Sequence, residues 1–236
     1  MQLFYAPEIS LPRYTLSEEE SKHCTRVLRM TIGDELHLTD GRGNMYRCKV
    51  VDDNAKRCAV EVVETMAEYE PLTYGLVMAV APTKIIDRFE WFLEKATEIG
   101  VTEIYPIECD HSERRQIKDE REQKVITAAV KQSLKAYHPK LHPMTPVREV
   151  MALDFDGEKY IAHCDSSFGE KEYLGKLIKK GGKNLILIGP EGDFSKEEIN
   201  FAAQNGFKAV TLGRERLRTE TAAVVATAIV STINKL

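Results

Sequence analysis

The chain has 236 residues, a hydrophobic content of 43% and a formal net charge of −4. This length allows one large domain or a small domain joined to a medium one. Nucleic-acid-binding domains are often strongly basic, so any contact with nucleic acid here must use local basic patches. Residues 1–11 lack a basic stretch followed by an apolar core, and no apolar run approaches about 20 residues. We therefore expect neither a signal peptide nor a membrane span.

The cysteines and histidines do not form the patterns of a disulfide framework or a metal site. The chain has five cysteines, an odd number, and no Cys-x-x-Cys pair. We expect free thiols and a cytoplasmic protein. The six histidines are scattered, with His138 and His142 the closest pair. A metal site needs three or four convergent ligands, so the sequence predicts no metal.

The first 70 residues combine one short helix with short strands of alternating polarity. Ser17, followed three residues later by Glu20, is typical of a capping box. It predicts a helix that runs to about Met30 and ends at Gly33. The predicted strands are 35–40, 46–51 and 58–64. Several short strands with a single helix suggest a small β-barrel, and we place the domain boundary after residue 70, before Pro71.

After Pro71 the pattern changes to an alternation of apolar strands and helices. The predicted strands are 73–81, 101–107, 160–164, 184–188 and 209–212. The predicted helices are 87–99, 120–136, one from the cap residue Ser195 to Gly206, and 219–235. This alternation predicts an α/β domain over residues 71–236, with a parallel sheet covered on both faces.

Two loops near the C-terminus, each after an apolar strand, carry most of the functional information. The first, residues 188–195, reads IGPEGDFS, and the second, residues 212–222, reads LGRERLRTETA. Ligands bind at the carboxyl ends of strands in α/β proteins, and glycine lets a ligand approach the backbone. Taken alone, each loop can also be explained without a ligand. The first is typical of a tight strand-to-helix turn, and the second is typical of an exposed basic loop before a capped helix.

Four groups of residues, in order along the chain, match the pattern of a known family. The first group is His23 with residues 26–29, 33–34 and 40–41. The second is residues 95–101 with Pro106, the third is residues 189–192 with 194–195, and the fourth is residues 217–222. With these residues the chain resembles the RsmE family of SPOUT-class, S-adenosylmethionine-dependent RNA methyltransferases. That family methylates N3 of a uridine in 16S ribosomal RNA of the small ribosomal subunit.

The resemblance implies a fold and partners. Residues 71–236 should form a SPOUT-type parallel sheet with a deep C-terminal trefoil knot, a rare exception to the rule that chains avoid threading. Residues 1–70 should form a PUA-like β-barrel that binds RNA. The protein should be a homodimer whose partner subunit completes the cofactor site. The implied substrate is 16S rRNA, and the sequence does not separate naked RNA from the assembled 30S subunit.

The resemblance also implies a cofactor site for S-adenosylmethionine in the two loops. The expected cofactor-binding residues are Ile188, Gly189, Pro190, Glu191, Gly192, Leu212, Gly213, Leu217, Arg218, Thr219 and Ala222. Leu212 and Leu217 are expected to sandwich the adenine. His163 and Cys164 end another predicted strand. They could line the same pocket, but an ordinary strand end is at least as good an interpretation of this pair.

The chemistry of uracil suggests catalytic residues. N3 is a weakly acidic nitrogen that must lose its proton before it attacks the sulfonium methyl group. Arg218 is the expected stabiliser of the uracil anion, because charge-assisted hydrogen bonds are the strong ones. Glu191 or Glu220 is expected to take the proton, directly or through water.

RNA contact requires local positive charge. The expected RNA-binding residues are Lys22, Arg26, Arg29, Lys84, Arg88, Gln132 and Lys135. The first three are spaced to share a helix face. A solvated charged face is an equally good reading of each group. The target base must be splayed out, because N3 is a pairing position.

Two places depart from the family pattern. Asp193 stands where a second glycine is usual and adds a carboxylate beside the cofactor loop. The second departure is in residues 129–139, a helix expected to border the RNA. Around Gln132 and Ser133 the family more often has acidic residues and a Gly-Arg pair.

Three other functions remain open from the sequence. One is a knotted methyltransferase for another RNA, such as transfer RNA. Another is a non-catalytic RNA-binding protein with the same fold. The third is a nucleotide-dependent α/β enzyme outside the knotted group, which the absence of a P-loop and of GxGxxG disfavours.

Overall fold

The computed structural model describes residues 1–235. The chain divides into two compact units. The first contains Met1–Pro71 together with Thr127–His138, and the second contains Leu72–Ile126 and the chain from Pro139 onward. The sequence pattern gives no sign that residues 127–138 return to the first unit.

The first unit is built on a five-stranded sheet. Its strands are β1 (Leu3–Tyr5), β2 (Arg13–Thr15), β3 (Glu35–Thr39), β4 (Met45–Asp52) and β5 (Ala59–Met66). They lie in the order β1-β3-β4-β5-β2, and every neighbouring pair is antiparallel except β1 with β3. The three predicted strands are present, and the two shortest strands were not predicted. Alternate side chains such as Leu36, Leu38, Val50 and Val60 form the core of this unit.

The predicted helix from Ser17 to about Met30 is shorter than expected. Helix α1 (Glu18–Lys22) begins at Ser17, whose Oγ accepts the backbone N–H of Glu20 at 3.2 Å, and a π-helix continues over His23–Val27. The Glu20 carboxylate accepts a hydrogen bond from Lys131 at 2.6 Å. Arg29 lies beyond the helix with a φ of 57°. The expectation that Arg29 shares a helix face with Lys22 is therefore wrong, because the helix has already ended.

The second unit is a parallel sheet with helices. Its strands are β6 (Gly75–Val80), β7 (Glu103–Glu108), β8 (Lys140–Leu141), β9 (Thr145–Pro146), β10 (Glu158–Ala162), β11 (Glu172–Tyr173), β12 (Lys183–Ile188) and β13 (Lys208–Thr211). The order is β11-β13-β10-β12-β6-β7-β8, and β9 also pairs with β7. All these pairings are parallel, so the predicted parallel sheet is confirmed.

Within residues 1–235, six α-helices accompany the sheet. They are α2 (Ile86–Ile99), α3 (Asp119–Gln132), α4 (Val147–Met151), α5 (Leu174–Leu177), α6 (Lys196–Gln204) and α7 (Thr219–Lys235). Helix α3 begins in the second unit and ends in the first. It is shorter than predicted, because Leu134 has a φ of 57° and breaks the helix. Among the helices within residues 1–235, none has the length and apolar content needed to cross a bilayer.

Both faces of the central strands are buried. Val77 and Leu185 pack on one face with Ile199 of α6, in a single buried cluster. Successive side chains point to opposite faces of a strand, so Leu76 and Ile186, both fully buried, face the other side. Helix α7 contacts β6 and β12 and packs against α2. This burial on both faces explains why the central strands are apolar without interruption.

Candidate ligand site at the strand ends

Four parallel strands end level with one another. Ile188 of β12 pairs with Val80 of β6 and with Ala162 of β10, and Ala162 pairs in turn with Val210 of β13. The loops that follow these ends enclose two adjoining cavities of about 530 and about 700 Å³. Volumes of this size are typical of small-molecule sites.

The structure brings together all the residues predicted to bind the cofactor. The wall of the first cavity includes Ile188, Gly189, Pro190, Glu191, Gly192, Leu217, Arg218, Thr219 and Ala222. Leu212 and Gly213 line the second cavity, and Leu217 and Ala222 line both. Glu220 also lines the first cavity, so the three residues predicted to be catalytic share it.

One hydrogen bond joins the two loops directly. The Thr219 hydroxyl, at the start of α7, donates to the carbonyl oxygen of Gly189 at 3.1 Å. Gly189 itself lies against the Phe194 ring, which a Cβ at this position would approach to 3.0 Å. A larger residue at this position would press on the Phe194 ring, and the hydrogen bond holds the first turn of α7 against the loop that follows β12.

Asp193 anchors the first loop. Its φ is 64°, a left-handed conformation that aspartate tolerates better than most residues. One carboxylate oxygen accepts the backbone N–H of Cys164 at 2.7 Å, and the other accepts that of Phe194 at 2.9 Å. The carboxylate thus ties the end of β10 to the loop after β12. This role was not predicted, although the departure from glycine was the signal for it.

The segment after β7, residues 109–115, holds the first loop from another side. The Asp110 carboxylate accepts the Ser195 hydroxyl hydrogen at 2.6 Å, and Ser195 forms the predicted capping box with Glu198. His111 Nδ1 lies 3.1 Å from the carbonyl oxygens of both Gly192 and Asp193, to which an N–H can donate. No sequence pattern indicated these contacts, because they join segments about 80 residues apart.

Arg114 positions the backbone that holds Glu191. Its guanidinium donates to the carbonyl oxygens of Thr83 at 3.0 Å and Lys84 at 2.8 Å. The Lys84 N–H in turn donates to a carboxylate oxygen of Glu191 at 3.0 Å. The Lys84 ammonium pairs with Glu113 at 2.8 Å. Lys84, predicted to contact RNA, therefore has a structural role next to the loop that follows β12.

The first cavity is lined by two further arginines besides Arg218, namely Arg88 and Arg216. Arg88, predicted to contact RNA, lines this cavity, and its Nε lies 3.9 Å from Oε1 of the buried Glu220. Arg218 is exposed and forms no side-chain hydrogen bond or ion pair with any residue in 1–235. The cavity thus offers one arginine beside Glu220 and two exposed arginines, Arg216 and Arg218, to an incoming anion.

The other residues predicted to bind RNA lie in the first unit. Lys22 pairs with Glu18 at 2.7 Å. Lys22 and Arg26 line a shallow groove together with Lys131 and three glutamates. Gln132 is the last residue of α3, and Lys135 follows it closely. The basic side chains of this groove are therefore mixed with carboxylates.

No three His, Cys, Asp or Glu side chains converge to hold a metal ion within residues 1–235.

Comparison with known families identifies the class of the protein. The RNA methyltransferase domain family matches residues 70–231, and the RNA methyltransferase PUA domain family matches residues 16–63. The first match spans well over half of the chain, so the chain belongs to the RNA methyltransferase domain family.

Individual relatives confirm the resemblance to the RsmE family. The crystal structure of a probable rRNA methyltransferase from Porphyromonas gingivalis is 42% identical, with a TM-score of 0.93 over 100% of this chain and 99% of that chain. Ribosomal RNA small subunit methyltransferase E from Neisseria gonorrhoeae, solved bound to S-adenosyl methionine, is 27% identical, with a TM-score of 0.88 over 98% and 97%. The Synechocystis protein of that name is 28% identical over 98% of this chain and 77% of its own length.

Proposed function

We propose that this protein transfers a methyl group from S-adenosylmethionine to N3 of a uridine in 16S rRNA. The observation that carries the proposal is the pair of adjoining cavities, because every predicted cofactor-binding residue lies on their walls. A relative that aligns along almost the whole chain was solved with S-adenosyl methionine bound. The residues at the strand ends suit such a ligand.

The two loops would hold the donor through apolar side chains and backbone groups. Leu212 and Leu217 line the second cavity and offer apolar surface to an adenine. Gly213, which is exposed and has a φ of 149°, leaves the backbone accessible. When bound, S-adenosylmethionine supplies an electrophilic methyl group on a positively charged sulfur.

The acceptor requires a group that takes the N3 proton and a group that stabilises the anion. Arg218, which is unpaired within the described chain, is the proposed anion stabiliser. Glu220 is the better placed of the two predicted bases, because one oxygen of Glu191 already accepts the Lys84 N–H. Glu220 lies in the first turn of α7, and one of its carboxylate oxygens lies 3.9 Å from Nε of Arg88.

We infer that one domain binds RNA and the other carries out the methyl transfer. We propose residues 1–70 as the PUA-like RNA-binding domain, joined in the first unit by Thr127–His138, and the rest of residues 71–236 as the SPOUT methyltransferase domain with the deep trefoil knot. The strand order, in which β10 lies between the later strands β12 and β13, supports a chain path of this kind. Lys22, Arg26, Gln132 and Lys135 are the proposed RNA contacts of the first unit.

A homodimer is proposed because the second unit exposes several apolar side chains. Ile85 and Trp91 are 50% and 43% exposed, and Val224, Val225 and Ile229 of α7 are only partly buried. Exposed apolar surface of this kind is typical of protein interfaces. A second copy would cover it and complete the cofactor site. Sedimentation of wild type and Trp91→Glu tests this, and identical monomeric behaviour of both proteins would contradict it.

The test of the activity is mass spectrometry of nucleosides from purified 16S rRNA of cells with and without the gene. We expect loss of 3-methyluridine without the gene and its return with the wild-type copy, in a cytoplasmic reaction. Incubation of the purified protein with naked 16S rRNA and with 30S subunits from the deletion strain identifies the substrate. Unchanged 3-methyluridine in 16S rRNA, or its loss from transfer RNA instead, would overturn the proposal.

A further inference from the structure

Three arginines alternate along the loop that follows β13. Arg214, Arg216 and Arg218 are all exposed to solvent. Arg214 lines the second cavity and Arg218 lines the first, whereas Arg216 lines both. Arg216 therefore lies at the boundary between the two cavities, where it remains exposed to solvent.

The guanidinium of Arg216 is not paired with a carboxylate of the protein. It forms no side-chain hydrogen bond or ion pair with any residue in 1–235. Each of the three carboxylates on the wall of the first cavity already has another partner. Glu191 and Asp193 accept backbone N–H groups. Oε1 of Glu220 lies 3.9 Å from Nε of Arg88. The charge of Arg216 is therefore left for a ligand.

The residues around Arg216 leave it free to bind an oxyanion. Lys171, another cation on the wall of the second cavity, donates to the carbonyl oxygen of Asp165 at 2.8 Å. Glu215, the acidic residue of the arginine loop, lines the second cavity and not the first. A guanidinium suits phosphate or carboxylate, because its N–H groups form two parallel hydrogen bonds with either group.

The proposed reaction brings two kinds of oxyanion to these cavities, the phosphates of the RNA and the carboxylate of S-adenosylmethionine. The target uracil must leave the base stack to enter a cavity, whereas its phosphates stay in water. An exposed residue at the boundary of the two cavities lies where the RNA backbone would meet the pocket. Phosphate is therefore the favoured ligand.

We propose that Arg216 binds a phosphate of the acceptor RNA beside the target uridine. The inference rests on the proposed function and adds a contact to the backbone of its substrate. A phosphate takes no part in the methyl transfer, so this contact stabilises the bound substrate and the transition state equally. Its loss should raise KM without lowering kcat, unlike the loss of Arg218.

The test compares wild type with Arg216→Gln, which keeps a polar side chain and removes the charge. KM for 16S rRNA should rise about tenfold, since a hydrogen bond between charged groups typically contributes at least that factor. Filter binding should show that the slope of log K against log salt is smaller by about 0.7, the value for one phosphate of a single strand. The affinity for S-adenosylmethionine, kcat and the melting temperature should stay close to those of wild type, because the side chain has no partner within residues 1–235.

Two matched variants separate a direct contact from a general loss of positive charge. Lys180→Gln removes one exposed charge before β12, at the end of that strand opposite to the cavities, and should leave KM and the salt slope unchanged. Arg216→Lys keeps the charge without the paired donors, so it should restore the slope and only part of the affinity. Equal effects of Arg216→Gln and Lys180→Gln would show that only net charge matters, and the inference would be overturned.

The remaining outcomes separate the two oxyanions and the two proposals. Weaker binding of S-adenosylmethionine by Arg216→Gln, with unchanged binding of adenosine, would assign the anion as the donor carboxylate and overturn the inference. A lower kcat with unchanged RNA affinity would overturn it as well, because Arg216 would then act in the methyl transfer. RNA binding needs no methyl transfer. A wild-type protein that binds 16S rRNA but never methylates it would contradict the proposed function alone, and weaker, less salt-dependent binding by Arg216→Gln would still support the role of Arg216.

Discussion

Nε of Arg88 lies 3.9 Å from Oε1 of Glu220, and both side chains line the first cavity. The side chain of Glu220 is only 10% exposed and that of Arg88 is 36% exposed. The pair therefore places a positive charge inside the pocket, at a residue that the sequence assigned to RNA binding. This placement makes the two roles of Arg88 experimentally distinguishable.

Arg88→Gln should lower kcat by about 10²-fold, because removing one charged donor from a preorganised site typically costs that much. The dependence of RNA affinity on salt should stay the same, since each lost phosphate contact would reduce the slope of log K against log salt by about 0.7–0.9. Filter binding at several salt concentrations measures the slope, and Arg26→Gln is the control expected to reduce it. A smaller slope of log K against log salt in Arg88→Gln, with an unchanged kcat, would show that Arg88 contacts RNA and is not needed for the methyl transfer.

Arg218→Ala should strongly reduce turnover while leaving the binding of S-adenosylmethionine intact. Arg218 forms no side-chain bond within residues 1–235, so its loss should not disturb the loop. We expect a decrease in kcat of about 10²–10³-fold, the usual effect of removing one stabiliser of a developing negative charge. Single-turnover methyl transfer and calorimetry measure the two quantities separately. The nearby exposed Arg214 provides a control in Arg214→Ala, and a wild-type kcat in Arg218→Ala would exclude the proposed role.

Asp193 should contribute to the stability of the loop that follows β12 through its carboxylate. Asp193→Asn keeps a residue that tolerates the φ of 64° and one acceptor oxygen, whereas Asp193→Ala loses both properties. We expect Asp193→Ala to lower the free energy of unfolding by about 2–3 kcal/mol and Asp193→Asn by about 1 kcal/mol. Both should weaken S-adenosylmethionine binding, because the end of β10 is released. Chemical denaturation and calorimetry test this order, and an Ala variant as stable as wild type would refute it.

The predicted features were those that local sequence determines. The apolar strands β6 and β12 were identified from composition, and the Ser195 capping box from spacing. The two glycine loops were predicted to lie together because parallel strands end at one edge. The hydrogen bonds made by His111 and Arg114 join segments far apart in sequence. The local periodicity of apolar residues could not predict them. The π-helix after Lys22 was not predicted. It buries Cys24, and the chain leaves it near Arg29, whose φ is positive; both features depend on tertiary packing.

Glu122 should make stability fall as the pH rises toward neutrality. Its side chain is 1% exposed, and burial, followed by the nearby Glu90 carboxylate, raises its pKa to about 7 from 4.5. The folded protein therefore holds a proton that the unfolded chain releases between about pH 4.5 and 7. Within that window the unfolded state binds fewer protons, so this group destabilises the fold by up to about 3 kcal/mol once the pH exceeds 7.

Glu122→Gln removes that charge and keeps the shape of the side chain. We expect the variant to have a higher melting temperature than wild type at pH 8, and a smaller or reversed difference at pH 5, where Glu122 is already protonated in the fold. Glu120→Gln, an exposed position on the same helix, should change the melting temperature little at either pH. Melting curves from pH 4.5 to 8.5 give the comparison. A variant less stable than wild type at pH 8 would show that Glu122 is charged and stabilising in the folded protein.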